Sequence, residues 1–482
     1  MKLLQPIFYV LGIILTIYAG IMLLPMLVDL YHGHDDWRVF AISSMVTGFV
    51  GMSLYFTHRG VEMTMSIRQA FLFTTMSYVA AIIFGCLPFL FSGLHLSFTD
   101  AVFEITSGLT TTGATVINGL DTTPPGILLW RALSNGIGGI GIVVFTLAVL
   151  PMMRVGGMQL FKTESSDQGE KAFPRTAQTA GVISVVILSL TATSAFCFWL
   201  AGMNGFDAIC HALAAIATGG FSTHDKSVGY YNSALIEFVG TVSMLSAALP
   251  IILYYRTFRG ETHAFFKDPQ VQFFLRMVFM AITIPTLYLM YVHNMPMMTA
   301  VRYTTFNVVS LITATGFTST DFSTWGSFTT TLFFIYLTLG GCTGSTSGGI
   351  KAYRFMIFFG SLKAQFMRIL KPHGIFVVRF GNKPVPESVE SSVLIFIIVY
   401  LFTLVTLAAL GSLFGMEFLT SMSAVAQGMA GVGVGLSPEI GPAGNFSGLT
   451  PGAKWVVTLA MFLGRLELFT VMILFVPRFW KG

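Results

Sequence analysis

The sequence predicts an all-α integral membrane protein, and three observations lead there. Hydrophobic residues make up 54% of the 482-residue chain and charged residues only 10%, against roughly 25% charged in a soluble domain. The apolar residues gather into ten continuous runs of spanning length, not alternating ten-residue segments, which indicates helices and not a barrel. Between these runs a shorter semi-apolar segment recurs four times. The chain therefore divides into an N-terminal transmembrane helix pair (1–69) and four helix–loop–helix repeats at 70–153, 154–258, 259–389 and 390–482.

The ten runs fall near 6–28, 39–56, 70–92, 126–150, 177–201, 233–254, 271–293, 326–358, 391–414 and 453–477. The first follows a lone Lys2; it is too long for a signal-peptide core and lacks a small-residue cleavage site, so it reads as a retained helix. Nineteen of the 26 Lys and Arg lie in one alternate set of connections, from Lys2, Arg59 and Arg68 through Arg154–Arg175, Arg256–Lys267 and Lys351–Lys383 to Arg478 and Lys481. The other set holds only Arg38, Lys226, Arg302 and Lys454. This asymmetry, which accounts for most of the net charge of +5, places both termini in the cytoplasm. The basic loops orient the chain and meet anionic lipid; the longest, Arg354–Val389, also suits a docking face.

Cys86, Cys197, Cys210 and Cys342 lie in or beside apolar runs without a C-x-x-C pair, as packing residues do. The nine histidines show no metal-ligand spacing.

The recurring segments are FTDAVFEITSGLTTTGAT, FDAICHALAAIATGGFS, YTTFNVVSLITATGFTS and FLTSMSAVAQGMAGVGVGL. Each reaches a Gly preceded by Thr or Val, at Thr112-Gly113, Thr218-Gly219, Thr315-Gly316 and Val432-Gly433. Asp100, Asp207 and Thr420 stand where N-caps of a three-turn helix are expected. The unit recurs about every 100 residues, as an internal repeat does. A loop at membrane depth is tolerated only where it is buried in protein or lines water. Glycine reaches backbone angles barred to other residues, so successive carbonyls can face one way. Four such loops about one axis make rings of carbonyl oxygens that replace the hydration shell of a monovalent cation. The short helices would aim the negative ends of their dipoles there. Glu104 lies on the first short helix, and no carboxylate lies in the four loops themselves.

TSGLTTTGAT (106–115), ATGGFSTHD (217–225), ATGFTSTDF (314–322), GVGVGL (431–436), GGCTGSTSGGIK (340–351) and GRLELFT (464–470) resemble the Trk/Ktr/HKT superfamily of potassium transporters, in particular the bacterial TrkH/TrkG-type pore subunit. The resemblance covers essentially the whole chain. It implies four helix–pore-loop–helix repeats in a pseudo-fourfold, potassium-channel-like arrangement in the bacterial inner membrane, with potassium as transported substrate. It implies a selectivity filter at Thr111, Thr112, Gly113, Thr218, Gly219, Gly220, Thr315, Gly316, Phe317, Val432, Gly433 and Val434. Val432 departs from the Thr of the other three. The resemblance further implies a homodimer and a cytosolic TrkA-type nucleotide-binding regulatory subunit.

The stretch at 340–350 interrupts the eighth run. The resemblance implies an intramembrane loop that obstructs the ion path below the filter. Gly340, Gly341, Gly344, Gly348 and Gly349 each weaken a helix by about 1 kcal/mol relative to Ala, and Ser345, Thr346 and Ser347 offer polar partners to the freed backbone. A small-residue packing face of the G-x-x-x-G type is the alternative. Arg465 lies inside an apolar run, where a charge costs roughly 2.5–3.5 kcal/mol. The resemblance makes it part of the gate; a structural salt bridge is the alternative. Lys351 either contacts the gate or anchors its helix in the headgroups, and Arg131 reads as snorkelling to the interface.

Proton- or sodium-coupled symport is the second reading for function, with Glu237, Glu467 and His293 as the nearest titratable candidates. An intramembrane enzyme needs a convergent set that no spacing suggests. The chain has no P-loop and no G-x-G-x-x-G after a strand, so no cofactor is expected on it and nucleotide sensing falls to a partner. No nucleic-acid partner is expected.

Overall fold

The computed structural model describes residues 4–60, 66–148 and 176–480. Within the described residues the ten expected runs are helical, with three broken. Among the described residues seven helices are long and apolar enough to cross a membrane, and two bent pairs raise that to nine. The remaining run, the eighth, is the interrupted one, Ser327–Thr338 followed, after an irregular stretch, by Ala352–Leu370. Large apolar side chains face outward along these helices, among them Phe49, Phe279 and Phe402, each more than 70% exposed. Polar side chains such as Glu104, Asn135, Asn307 and Gln427 are buried inside. That inversion fits a hydrocarbon surround.

Gln5–His32 and Trp37–Thr57 form the N-terminal pair. They cross closely because a Cβ at Gly12 would come within 2.6 Å of the Tyr55 nitrogen, and one at Gly51 within 2.7 Å of the Thr16 nitrogen. The pair is tied to the next unit where Asp29 accepts the Gly126 N–H at 2.6 Å. The third helix starts at Ile67, capped by Ser66 and Gln69 in a capping box. The boundary expected at 69/70 therefore falls in its first turn. The boundary at 153/154, the cluster Arg154–Arg175, Lys2 and Lys481 lie outside the described residues.

Each unit then repeats one path. A long helix leads to a short buried helix: Phe98–Leu109, Gly205–Ile216, Met297–Ile312 or Phe418–Ala430. An extended stretch follows, then a 3₁₀ turn at Leu120–Thr122, Ser227–Tyr231, Phe322–Trp325 or Phe446–Gly448, and a second long helix. The N-caps are Ser97 and Asn204, one turn earlier than expected; Asp100 and Asp207 are the third residues of their helices. Thr420 is likewise third, behind Glu417. The side chains of Ser97 and Asn204 each accept the N–H three residues on, which is what a cap must do.

Two breaks were not legible. The run 233–254 bends by 92° between Ala248 and Ile251, because Pro250 supplies no N–H and holds Leu249 extended. The run 453–477 bends by 101° after Arg465, with Glu467 at φ +56°. Among the described residues the strand pairing is confined to a two-residue hairpin, Arg379–Phe380 with Lys383–Pro384, in the longest basic loop, and an isolated bridge between Leu339 and Ile350.

Candidate functional site

The four short helices end in the same way. After each, an N–H turns back to a carbonyl five residues earlier: Thr112 to Ser107 (2.8 Å), Gly219 to Ala214 (2.7 Å), Thr315 to Ser310 (2.9 Å) and Val432 to Gln427 (2.9 Å). Positive φ occupies the flanking positions in every copy. Thr111, Thr218, Ala314 and Gly431 lie at +51°, +52°, +56° and +74°, and Gly113, Gly220, Gly316 and Gly433 at +86°, +68°, +85° and +87°. The register of the second copy is therefore one residue later than the T-G dipeptide suggested: Gly220, not Gly219, corresponds to the other three glycines. Thr111, Thr218 and Ala314 hold a conformation that costs about 1–2 kcal/mol outside glycine, a cost met only where the surroundings over-determine the backbone.

These segments close into a ring. A Cβ on Gly113 would overlap the Gly219 carbonyl oxygen, one on Gly220 that of Thr315, one on Gly316 that of Val432, and one on Gly433 that of Thr112. Each glycine thus abuts the carbonyl of the next copy, and the fourth meets the first. One cavity touches all four glycines and Val434. A second cavity is lined by Thr110 and Gly431 at the opposite edge of the ring, and by Gly348, Ser347, Lys351 and Arg465. Phe317 is buried, its ring 5.6 Å from that of His211, so its side chain packs behind the ring.

Behind the first and second segments sits a buried ion pair that the sequence reading missed. Arg131 does not snorkel. It is 1% exposed, its Nε donates to Glu104 at 2.8 Å, and its Nη1 donates to the Ser222 carbonyl at 2.7 Å. Glu104 also accepts from the Val116 N–H at 2.9 Å and from the Thr115 hydroxyl. One carboxylate and one guanidinium so join a short helix, a long helix and two ring segments.

The stretch 340–351 is irregular and almost wholly buried, as a loop at membrane depth must be. The bent helix receives it. The carbonyls freed at Pro250 accept loop N–H groups, Ala248 from Cys342 (2.9 Å) and Ala247 from Thr346 (3.3 Å), while the Ile251 N–H donates to Gly344 (2.9 Å). Within the loop, Gly344 and Gly349 lie at φ +74° and +69°, and Gly341 donates to the Ser347 hydroxyl at 2.9 Å. Ser345 caps the Cys342 carbonyl. A Cβ on Gly348 would overlap the Ala430 carbonyl at the base of the fourth segment, and one on Gly340 that of Gly348. The loop is thus wedged beneath the ring, and no helical packing face of the G-x-x-x-G type forms.

Arg465 bridges this loop to the first repeat, donating to Thr346 at 3.0 Å and to Gly138 at 3.2 Å. The salt bridge considered for it forms elsewhere: Glu467 pairs with Arg354 at 2.5 Å. Arg354 is fully buried and stacks 3.5 Å over the Phe396 ring. Lys351 is buried within the protein, and its ammonium donates to the Ser347 carbonyl. Glu237 is paired with Arg302 at 2.7 Å, and His293 meets the Trp325 carbonyl at 3.1 Å. Cys86, Cys210 and Cys342 are buried free thiols, and Cys197 is half-buried. Among the described residues no His, Cys, Asp or Glu cluster could hold a metal ion.

The model of a family described as TrkH, cation transport protein, matches residues 37–481. The Trk system potassium uptake protein TrkI of Halomonas elongata is 38% identical over 99% of this chain and 97% of its own. The Trk system potassium uptake protein TrkH of Escherichia coli K12 is 34% identical over 98% of each. The crystal structure of the potassium transporter TrkH from Vibrio parahaemolyticus superposes with a TM-score of 0.92 at 34% identity, covering 99% of both chains.

Proposed function

The chain belongs to the TrkH family of cation transport proteins, and on that premise we propose that it carries potassium inward across the bacterial inner membrane through the four-segment ring. Potassium is the ion named for its relatives. The observation that carries the reading is the closed circuit of four glycines, each against the next copy's carbonyl, between two cavities. Backbone oxygens set in such a ring are the ligands that substitute for a monovalent cation's water. The repeats at 70–153, 154–258, 259–389 and 390–482 supply one quadrant each. The membrane potential drives entry with about 2.3 kcal/mol per charge per 100 mV.

The loop at 340–350 is the gate, held shut by Arg465 through Thr346 and by Lys351 through Ser347. Both termini lie in the cytoplasm by the positive-inside rule. There the basic face at 351–383 meets a TrkA-type nucleotide-binding subunit, and the pore works as a homodimer. Coupled symport asks for a titratable group along the path. Glu467 is committed to Arg354 and Glu237 to Arg302, so gated passive uptake is favoured.

The test is ion flux into liposomes carrying the purified protein, under opposed potassium and sodium gradients, for wild type and Gly316→Ser. Potassium selectivity that drops at least about tenfold in the variant, a loss of ~1.4 kcal/mol of discrimination, supports the filter. Selectivity indifferent to Gly316, or uptake that needs an opposing proton gradient, overturns it.

A further inference from the structure

The backbone of the ring repeats four times, but the side chains that brace it do not. In the first and third quadrants the segments read Thr110-Thr111-Thr112-Gly113 and Thr313-Ala314-Thr315-Gly316. Their outer hydroxyls pair behind the backbone, Thr110 with Thr112 and Thr313 with Thr315, each at 2.8 Å. The second and fourth quadrants read Ala217-Thr218-Gly219-Gly220 and Ala430-Gly431-Val432-Gly433. Neither can form that pair, because both hydroxyl positions are lost.

A carboxamide stands in each gap. In the second quadrant Asn135, from the preceding repeat's long helix, accepts the Phe221 N–H at 3.3 Å and donates to the Gly108 carbonyl at 3.0 Å. A Cβ on Gly219 would come within 2.6 Å of Asn135 Oδ1, so the carboxamide fills the place of the missing threonine. In the fourth quadrant Gln427 accepts the Gly433 N–H at 2.9 Å and donates to the Ala424 carbonyl at 2.9 Å. Its counterparts are Ser107, Ala214 and Ser310. Asn135 and Gln427 are both fully buried, and a buried carboxamide is costly unless both its ends are bonded. Here both are.

A trans peptide points its N–H and C=O in opposite directions. Anchoring the Gly433 N–H behind the ring therefore turns the Val432 carbonyl toward Gly316, where its oxygen lies. Anchoring the Phe221 N–H fixes the Gly220 carbonyl by the same trans geometry. We infer that Asn135 and Gln427 are selectivity-setting positioning residues, which orient the Gly220 and Val432 carbonyls in the two quadrants that lack a threonine pair. This rests on reading the ring as the ion filter.

The experiment measures reversal potentials in proteoliposomes under potassium and sodium gradients, with Gly316→Ser in the same series. Gln427→Met and Asn135→Leu keep the volume and remove the acceptor. Each is expected to lower the potassium-to-sodium permeability ratio about three- to tenfold, the effect of one buried hydrogen bond lost, while current persists. Gln427→Glu and Asn135→Asp, neutral in so buried a place, keep one accepting oxygen and one donating O–H and are expected to hold the ratio within about twofold of wild type. A purely structural role would lower the yield of folded protein in all four without moving the ratio. Should Gln427→Met not assemble, Gln427→Ser replaces it, installing the residue that two other quadrants carry there. If Gly316→Ser alters the ratio and the acceptor-less variants do not, the inference fails while the filter stands. If Gly316→Ser also leaves the ratio unchanged, both fall.

Discussion

The ring and the intramembrane loop pose the same problem, irregular backbone at membrane depth, and solve it in different ways. Ring segments are held by their own repeats, each glycine against the next copy's carbonyl, with Arg131 and Glu104 locked behind two of them. The loop occurs once. It borrows the carbonyls that Pro250 releases from a neighbouring helix and the guanidinium of Arg465 from another repeat. The ring is over-determined by fourfold repetition and, at two of its segments, by a buried ion pair. The loop rests on a few separable hydrogen bonds, which is what a part that moves requires.

Substitutions on the two sides should therefore differ in kind. Arg131→Met strands a buried carboxylate and should destabilise the fold by about 3–5 kcal/mol, read as an earlier denaturation midpoint in detergent. An unchanged midpoint would show that the pair does not clamp the ring. Arg465→Ala removes one charge-assisted bond to the loop and one to the first repeat's long helix. Basal cation flux should rise at least about tenfold, with the denaturation midpoint little altered and ion selectivity intact. Flux that stays at the wild-type level would remove the latch from the loop.

Thr346→Val is milder, because it deletes only the hydroxyl bonds to Ile216 and Ala247 at 2.8 and 3.1 Å. A rise of about threefold in basal flux is expected, and additivity with Arg465→Ala would mean that the two contacts act independently. The smallest effect concerns His224, in the connection after the second ring segment. Burial opposes its charged form, but its bonds to Asp207 (3.1 Å) and Asp121 (2.5 Å) outweigh that and raise its pKa above 6.5. Its stabilisation is thus complete below pH 6.5 and fades as pH climbs through the raised value. Melting temperature against pH should show this slope in wild type and lose it in His224→Gln.

How far the sequence could be read follows the same division. What repeats was legible: ten apolar runs, four short helices and a glycine after each, because periodicity and composition record them. The intramembrane loop was legible from its Gly, Ser and Thr only with the help of the family resemblance, because the same glycines also fit a G-x-x-x-G packing face. What is solved once in three dimensions was not. The Arg354–Glu467 pair joins residues 113 apart in sequence, and nothing local to either residue announces the other. Arg131 near the end of an apolar run looks the same whether it snorkels or pairs. The second copy's register was misjudged because a T-G dipeptide carries no record of which residue takes positive φ; four backbone closures at equal spacing decide that. Asp100 and Asp207 were placed one turn off because Asp serves both as an N-cap and as a third residue that complements the helix dipole.

Locating the ion tests the central claim most directly. Crystals grown in rubidium or thallium salts give an anomalous signal wherever a potassium analogue sits. A peak on the ring axis, equidistant from the Thr112, Gly219, Thr315 and Val432 carbonyls and absent when sodium replaces the analogue, is the predicted result. Anomalous density confined to positions outside the ring would contradict it.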